Sequence, residues 1–148
     1  MKRLFSIVVI CCFLYSCDHR EDEIVKAPDL MVSNHSKEYI FEASVLSGEM
    51  VIDFGVIGVG AGKSMGFGFM SSSSKLGIRW NIKGEKPILK SWFDTKSFST
   101  SYDGIITRYE FRYKGDRKWD LLVYGPKAEG KHTGEVVGTI NGSVPKEK

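Results

Sequence analysis

The dominant pattern along the chain from residue 30 onward is the alternation of apolar and polar positions. It is clearest over Lys75–Ile82, where residues 76, 78, 80 and 82 are apolar and the positions between them are polar or glycine. A period of two is typical of a strand with one buried face. Further runs that indicate strands cover residues 30–32, 39–46, 50–54, 63–70, 88–93, 105–113, 119–124 and 136–140.

Short strands separated by turns, with no convincing helix, predict an all-β fold. An immunoglobulin-like sandwich of about seven to eight short antiparallel strands fits this pattern, and a small open β-barrel is the alternative. Residues 105–124 are expected to form a hairpin. Because aromatic side chains bury the most area each, they should dominate the core. The aromatic residues expected there are Phe67, Phe69, Trp80, Phe111 and Trp119. Trp92 and Phe93 are either core residues or an exposed anchor, and core is favoured because large aromatic side chains are mostly buried.

In the strand over 39–46, strict alternation would place Tyr39, Phe41, Ala43 and Val45 on one face. Three longer segments, 55–62, 94–104 and 125–134, are rich in glycine or polar residues and are expected to be loops. The first of them has room for a bulge as well.

The N-terminal segment has the layout of a secretory signal peptide. Lys2 and Arg3 precede an apolar run over residues 4–14. The run is shorter than the roughly 20 residues that a helix needs to cross a bilayer, so an uncut anchor is disfavoured. Residues 14–17, Leu-Tyr-Ser-Cys, resemble the lipobox of bacterial lipoproteins. The resemblance implies cleavage between Ser16 and Cys17 and acylation of Cys17; an ordinary secretory signal is the other alternative.

This resemblance implies a location and a domain organisation. Residues 1–16 would be a lipoprotein signal peptide, and residues 17–28, which are charged and poor in apolar side chains, a lipidated tether. Residues 29–142 would form the β-sandwich domain and 143–148 a polar tail. The domain would face the periplasm from the inner or the outer membrane of a bacterial envelope. Each buried methylene of an acyl chain adds about 0.8 kcal/mol, so several chains on one cysteine anchor durably.

Loss of the signal would change the charge and the cysteine inventory. Lys2 and Arg3 leave with it, the formal charge falls from +3 to about +1, and no nucleic-acid partner is indicated. Cys11 and Cys12 leave as well, and the lipid occupies Cys17. We therefore expect no disulfide and no thiolate chemistry. The histidines have no metal-ligand spacing, so no metal and no cofactor is expected.

One short motif resembles a catalytic site. Residues 62–66 spell G-x-S-x-G, the nucleophile elbow of serine hydrolases, and Asp94, Asp103 and His132 follow in that family's order. The elbow needs a helix directly after its serine, whereas residues 65–69 have the period of a strand. A small hydrolase using Ser64 is therefore a remote alternative, and we expect the protein not to be an enzyme.

The loops are the expected working parts, since a sandwich commonly presents its function there. Glycines in one loop and aromatic or imidazole side chains in the others make these segments candidates for contact with a partner. The candidate binding residues are Gly58, Gly60, Phe98, Tyr102 and His132.

The chain also resembles small bacterial lipoproteins with β-rich domains. Some of these are encoded beside lipase effectors of type VI secretion systems and act as their immunity proteins. The shared features are the lipobox, residues 34–40, the glycine-rich middle and the run Ile78-Arg79-Trp80. The resemblance implies a membrane-anchored module that binds a protein, as an immunity protein would bind an envelope-targeting toxin. A structural or assembly lipoprotein of an envelope or secretion machine is the alternative, and the oligomeric state is left open.

Overall fold

The computed structural model describes residues 28–66, 75–82, 88–131 and 134–142. Within them the chain forms nine strands and one short helix, where about eight strands were expected. The elements are β1 (Asp29–Asn34), β2 (Ile40–Ser47), β3 (Met50–Ile57), β4 (Gly62–Met65), β5 (Lys75–Ile82), β6 (Leu89–Asp94), α1 (Lys96–Ser101), β7 (Arg108–Gly115), β8 (Lys118–Lys127) and β9 (Gly134–Asn141). The predictions for residues 1–27 and 143–148, and for Phe67, Phe69 and His132, lie outside the described residues.

The strands form two sheets, and the predicted all-β sandwich is confirmed. One sheet has the order β4-β1-β7-β8-β9 and the other the order β3-β2-β5-β6. The expectation of antiparallel strands fails at one pair, because β1 and β7 run parallel, with Val32 opposite Phe111. A parallel pair needs a long crossover, and here the chain supplies it by building the whole four-stranded sheet between β1 and β7.

Aromatic side chains fill the space between the sheets, as expected. The rings of Trp80 and Trp119 meet edge to face, with their centroids 5.4 Å apart. Phe93 and Phe111 meet in the same way at 5.3 Å. All four side chains are buried. These contacts join β5 and β6 of one sheet to β7 and β8 of the other, and edge-to-face pairs add stabilisation beyond that of their buried area.

The predicted face of β2 is wrong in its first half. Ile40, Ala43 and Val45 point into the core, whereas Tyr39 is exposed and Phe41 is only half-buried. A bulge between residues 41 and 44 causes the change, since the register with β3 and β5 shifts there. Within the bulge the backbone φ of Glu42 is +50°. One extra residue reverses which side chains face inward.

The segment 94–104, expected to be a loop, contains the helix α1. Asp94 Oδ1 accepts a hydrogen bond from the Lys96 N–H at 3.0 Å at its start, and the Tyr102 N–H donates to the Phe98 carbonyl at its end. Six residues are too few to be stable alone. The helix is held by tertiary contact, because the Phe98 ring occupies the space that a side chain at Gly138 would need.

The hairpin predicted over 105–124 is confirmed as β7 and β8, although β7 begins at Arg108 and not at residue 105. Asp116 and Arg117 connect the strands with φ values of +51° and +60°. Two positive φ angles in a two-residue turn are the signature of a type I′ hairpin.

Candidate binding surface

The predicted binding residues lie at opposite ends of the sandwich. Gly58 and Gly60 precede β4, whose first residue, Gly62, pairs with Ser33 near the end of β1. Phe98 and Tyr102 lie near the other end, where Tyr102 approaches Gly125 late in β8. The structure therefore does not bring the predicted loop residues together into one site.

The glycine-rich loop is shorter than predicted, because β3 extends to Ile57. Gly60 has a φ of +66°, so the turn depends on a residue without a side chain. The Tyr39 ring lies beside Gly58, and Val59 is exposed next to it. The loop thus carries a small apolar surface, but no charged or nucleophilic group accompanies it among these contacts.

Phe98 and Tyr102 form a stacked pair with centroids 5.5 Å apart. Both rings are half-buried, Phe98 against Gly138 and Tyr102 against Gly104 and Gly125. These rings fix α1 to β9 and to the end of β8. Their main contacts are therefore within the domain.

Ser64 lies in the middle of β4, opposite Met31 of β1, and the strand continues through Met65. A nucleophile elbow requires a sharp turn from strand to helix at the serine. That geometry is absent at Ser64, so the G-x-S-x-G spelling does not correspond to an elbow.

The outer face of the five-stranded sheet carries a buried carboxylate that the sequence did not single out. Glu110 of β7 is 3% exposed. It accepts hydrogen bonds from Ser33 Oγ at 2.6 Å, from the Tyr124 hydroxyl at 2.5 Å and from Arg112 Nε at 3.1 Å. These donors come from β1, β8 and β7, so one carboxylate links three neighbouring strands.

The environment of Glu110 keeps it ionised. Burial alone would raise its pKa, but the bonds from Ser33 and Tyr124 and the charge of Arg112 outweigh burial, so the pKa of Glu110 lies below its ordinary value. Burial raises the pKa of Tyr124, and its bond to Glu110 raises that pKa further, so the phenol stays a donor. Arg108 lies over the Tyr124 ring at 3.9 Å, a cation–π contact. We call these five residues the Glu110 cluster.

The outer face of the four-stranded sheet is different, and we call it the Trp92 face. The register aligns Val51, Leu46, Gly77 and Trp92 in one row across all four strands. Trp92, expected to be buried, is 43% exposed, and Val51 is 50% exposed. The Trp92 ring lies directly over Gly77, so a Cβ added at Gly77 would come within 2.8 Å of ring carbons. Trp92 therefore covers the backbone of β5 at Gly77 and is still nearly half exposed.

The next row of the Trp92 face is polar and aligns Asp53, Ser44, Arg79 and Lys90. Ser44 Oγ donates to Asp53 Oδ1 at 2.5 Å, and Arg79 Nη2 donates to Ser44 Oγ at 3.2 Å. The Arg79 guanidinium is 3.8 Å from Asp53. The serine thus holds the arginine and the aspartate in place, and the aspartate side chain stays 76% exposed.

Two shallow cavities open on or beside this face. One of about 440 Å³ is lined by Glu42, Ser44, Asp53, Gly55, Arg79 and Ile88. The other, of about 410 Å³, is lined by Lys75, Trp92, Phe93 and Asp94. Tryptophan and arginine are both enriched among the residues that contribute most of the binding energy of protein interfaces.

Two further observations concern the described residues alone. They contain no group of three or more His, Cys, Asp or Glu side chains that could hold a metal ion. In the same ranges there is no helix with the length and apolar character needed to cross a membrane.

Comparison of the chain with protein-family models, with curated proteins and with solved structures finds no match in any of the three. The Trp92 face is therefore interpreted from its own geometry.

Proposed function

We propose that this protein is a lipid-anchored protein of the bacterial envelope whose sandwich domain binds another protein through the Trp92 face. The lipobox resemblance at Ser16 and Cys17 supports the anchor. The observation that carries the binding function is the half-exposed Trp92, placed in line with exposed Val51 and one row from Arg79. Tryptophan and arginine together give an interface large apolar contact and directed hydrogen bonds.

The resemblance to immunity lipoproteins supports a specific version of this proposal. In it the partner is an envelope-targeting toxin, and the sandwich blocks the toxin from a position on the membrane. The Trp92 face spans all four strands of its sheet, so it offers a broad and shallow contact area. Such a surface suits a folded protein better than a small molecule, which prefers a deep and enclosed pocket.

The anchor is tested by metabolic labelling with a palmitate analogue. The wild-type chain is expected to incorporate the label and to fractionate with membranes, and Cys17→Ser is expected to lose both properties. Label that persists in Cys17→Ser, or a wild-type chain that takes up none, contradicts the lipid anchor.

The binding function is tested by photocrosslinking in cells, with a photoreactive phenylalanine derivative at position 92, which keeps an aromatic ring there. The matched control carries it at Thr139, which is exposed on β9 and pairs with Leu122 on the outer face of the other sheet. We expect a discrete crosslinked partner from position 92 and none from position 139. Crosslinks of equal yield from both positions, or from position 139 alone, contradict the assignment to the Trp92 face.

The immunity version has its own readout. Expression of the captured partner in the periplasm should kill cells that lack this protein, and the wild-type chain should rescue them. A partner that is harmless in cells lacking the protein contradicts the immunity version and leaves protein binding in place.

A further inference from the structure

The sandwich has four edge strands among the described residues, and β3 differs from the other three. β4 has only four residues. β6 has six residues and carries Lys90, and the side chains of Ser91 and Phe93 lie close to Gly142, which directly follows β9. β9 contains two glycines, and its Glu135 forms an ion pair with Lys131. β3 has eight residues, of which most are exposed, and its exposed apolar side chains include Met50, Val51 and Val56.

Edge strands in soluble proteins are normally guarded by a lysine, a proline or short length. β3 has no lysine and no proline and is eight residues long; Asp53 is its one charged side chain, and its bulge lies between Asp53 and Gly55. Its second half is nevertheless occupied within the domain, because Lys63 Nζ donates to the Phe54 carbonyl at 2.8 Å and Asn34 Nδ2 donates to the Ile57 carbonyl at 3.2 Å. With respect to the residues that the structure describes, the open part of the edge is therefore the first half, residues 50–53.

The turn that precedes β3 determines which main-chain groups are available there. Gly48 has a φ of +56° in the two-residue turn between Ser47 and Met50, which pair directly. In such a hairpin the residues flanking the turn exchange hydrogen bonds, and the pattern then alternates. Val51 and Asp53 consequently direct their N–H and C=O groups away from β2, while Ile52 directs its own towards Val45. Four strand-pairing groups thus face outward.

The side chains beside these groups indicate what would pair with them. Val51 is half-exposed and Asp53 is 76% exposed on the Trp92 face. Glu42 and Glu49 are exposed nearby in β2 and in the turn. Beside these three carboxylates lie two cations, Arg79 at 3.8 Å from Asp53 and Lys63, which donates to the Phe54 carbonyl. The open half of the edge is therefore apolar with a negative balance, which complements a basic and apolar strand.

We infer that Val51–Asp53 is a strand-addition site, at which an extended segment of a partner protein pairs with β3 and places an apolar side chain beside Val51 and a basic one beside Asp53. In this mode the main-chain hydrogen bonds give affinity, and the alternate side chains give specificity. The inference rests on the proposed function in one respect, that the partner is a protein. It adds the main-chain edge of β3 to the surface through which that partner binds.

The test uses the full chain labelled with ¹⁵N in detergent micelles and a defined probe, a capped hexapeptide with valine at position 2, lysine at position 4 and threonine elsewhere. Its valine and lysine are two residues apart and share one face of a strand, as Val51 and Asp53 do. Addition of the peptide is expected to slow hydrogen exchange at the amides of Val51 and Asp53 about tenfold, because pairing protects them from water. A counterpart with glutamate in place of lysine should bind about tenfold more weakly, because its charge is repelled. No change at these two amides, or equal binding of both peptides, overturns the inference.

Matched variants separate the main-chain contribution from the side-chain contribution. Val51→Pro removes an outward N–H and leaves the pairing with β2 intact, since proline is tolerated where the N–H faces away from the sheet. It should abolish peptide binding while the melting temperature stays close to that of the wild type. Val51→Thr keeps the N–H and should bind within about threefold of the wild type, given the similar strand preference. Binding that survives Val51→Pro overturns the inference.

The crosslinking strain distinguishes this inference from the proposed function. A partner captured from position 92 that is lost with Val51→Pro and kept with Val51→Thr supports strand addition. A partner captured equally with both variants overturns strand addition and leaves the proposed function standing. No partner at position 92, together with specific binding of the basic peptide, contradicts the proposed function and supports the edge site.

Discussion

The charged side chains on the two outer faces of the sandwich have opposite environments. On the five-stranded sheet, Glu110 is buried and accepts bonds from three strands. On the four-stranded sheet, Asp53 has one serine donor and a guanidinium at 3.8 Å, and it remains mostly in solvent. A buried and fully paired carboxylate contributes to stability, whereas an exposed one is available to a partner. Under the proposed function, the face that carries Glu110 contributes stability and the Trp92 face contributes recognition.

Aromatic side chains divide in the same way. Tyr124 on the five-stranded sheet is buried, donates to Glu110 and is covered by Arg108. The Trp92 ring lies over Gly77, and the side chain remains 43% exposed. The contrast shows why exposure must be judged together with contacts, since both residues occupy the outer face of a sheet.

The largest expected effect comes from the same substitution made on the two faces. Glu110→Ala should lower the free energy of unfolding by about 3 kcal/mol, because it leaves Arg112 and two hydroxyl donors without their acceptor. Asp53→Ala should lower it by less than about 1 kcal/mol, since surface pairs contribute little. Urea unfolding of the full chain in detergent measures both. Equal losses of unfolding free energy in Glu110→Ala and Asp53→Ala would contradict the proposed difference between the two outer faces.

The next effect is a dependence of stability on pH. The pKa of Glu110 in the folded chain lies below its ordinary value, so on acidification the unfolded chain takes up the proton first. The stabilisation is therefore complete at neutral pH and is lost as the pH falls below the ordinary carboxyl value through the folded pKa. Glu110→Gln should be about 2 kcal/mol less stable at pH 7, the scale of hydrogen bonds to a charged group, with a shallower loss in acid. An unchanged acid profile in Glu110→Gln would count against this assignment.

A smaller effect tests the contact beneath Trp92. Gly77→Ala places a methyl group within 2.8 Å of the ring, so the ring must move, at a cost of about 1 kcal/mol. The tryptophan emission should shift to the red. In a Trp92→Ala background the same change should cost almost nothing, because the clash is gone. A cost that is the same in both backgrounds would show that the ring does not rest on Gly77.

The smallest expected effect on stability is that of Trp92→Ala itself. A half-exposed ring should contribute less than about 1 kcal/mol, whereas Trp119→Ala in the core should cost about 3–5 kcal/mol. Thermal unfolding of the two variants side by side makes the comparison. A large loss of thermal stability in Trp92→Ala would show that Trp92 is part of the structural core and not of the proposed binding surface.

Local patterns predicted the strands well because alternation over several residues is a local property. β5 has the bounds expected from its period, and the aromatic residues Trp80, Phe111 and Trp119 are buried as expected. The bulge in β2 was missed because a positive φ at Glu42 is set by pairing with two neighbouring strands and not by the residue type. The helix α1 was missed because it depends on contact with a distant glycine.

The candidate surface was harder to predict than the strands. The exposure of Trp92 depends on its position in an edge strand opposite Gly77, and only the strand register reveals that pairing. Glu110 is separated from Ser33 by 77 residues in the chain, so no local sequence motif predicts their contact. Loop composition pointed to Phe98 and Tyr102, but these rings pack onto glycines of β8 and β9. Sites built by pairing of distant strands leave little trace in local sequence.

The most direct test of the division between the faces is the yield of partner crosslinked from a photoreactive residue at position 51, measured in two variants. Trp92→Ala should reduce the yield at least about tenfold, the effect of losing an interface hot spot, with almost no change in thermal stability. Glu110→Gln should lower the stability and leave the yield unchanged at a temperature where the chain is folded. A crosslinking yield that falls in both variants in proportion to their loss of stability would contradict the division between a stabilising face and a binding face.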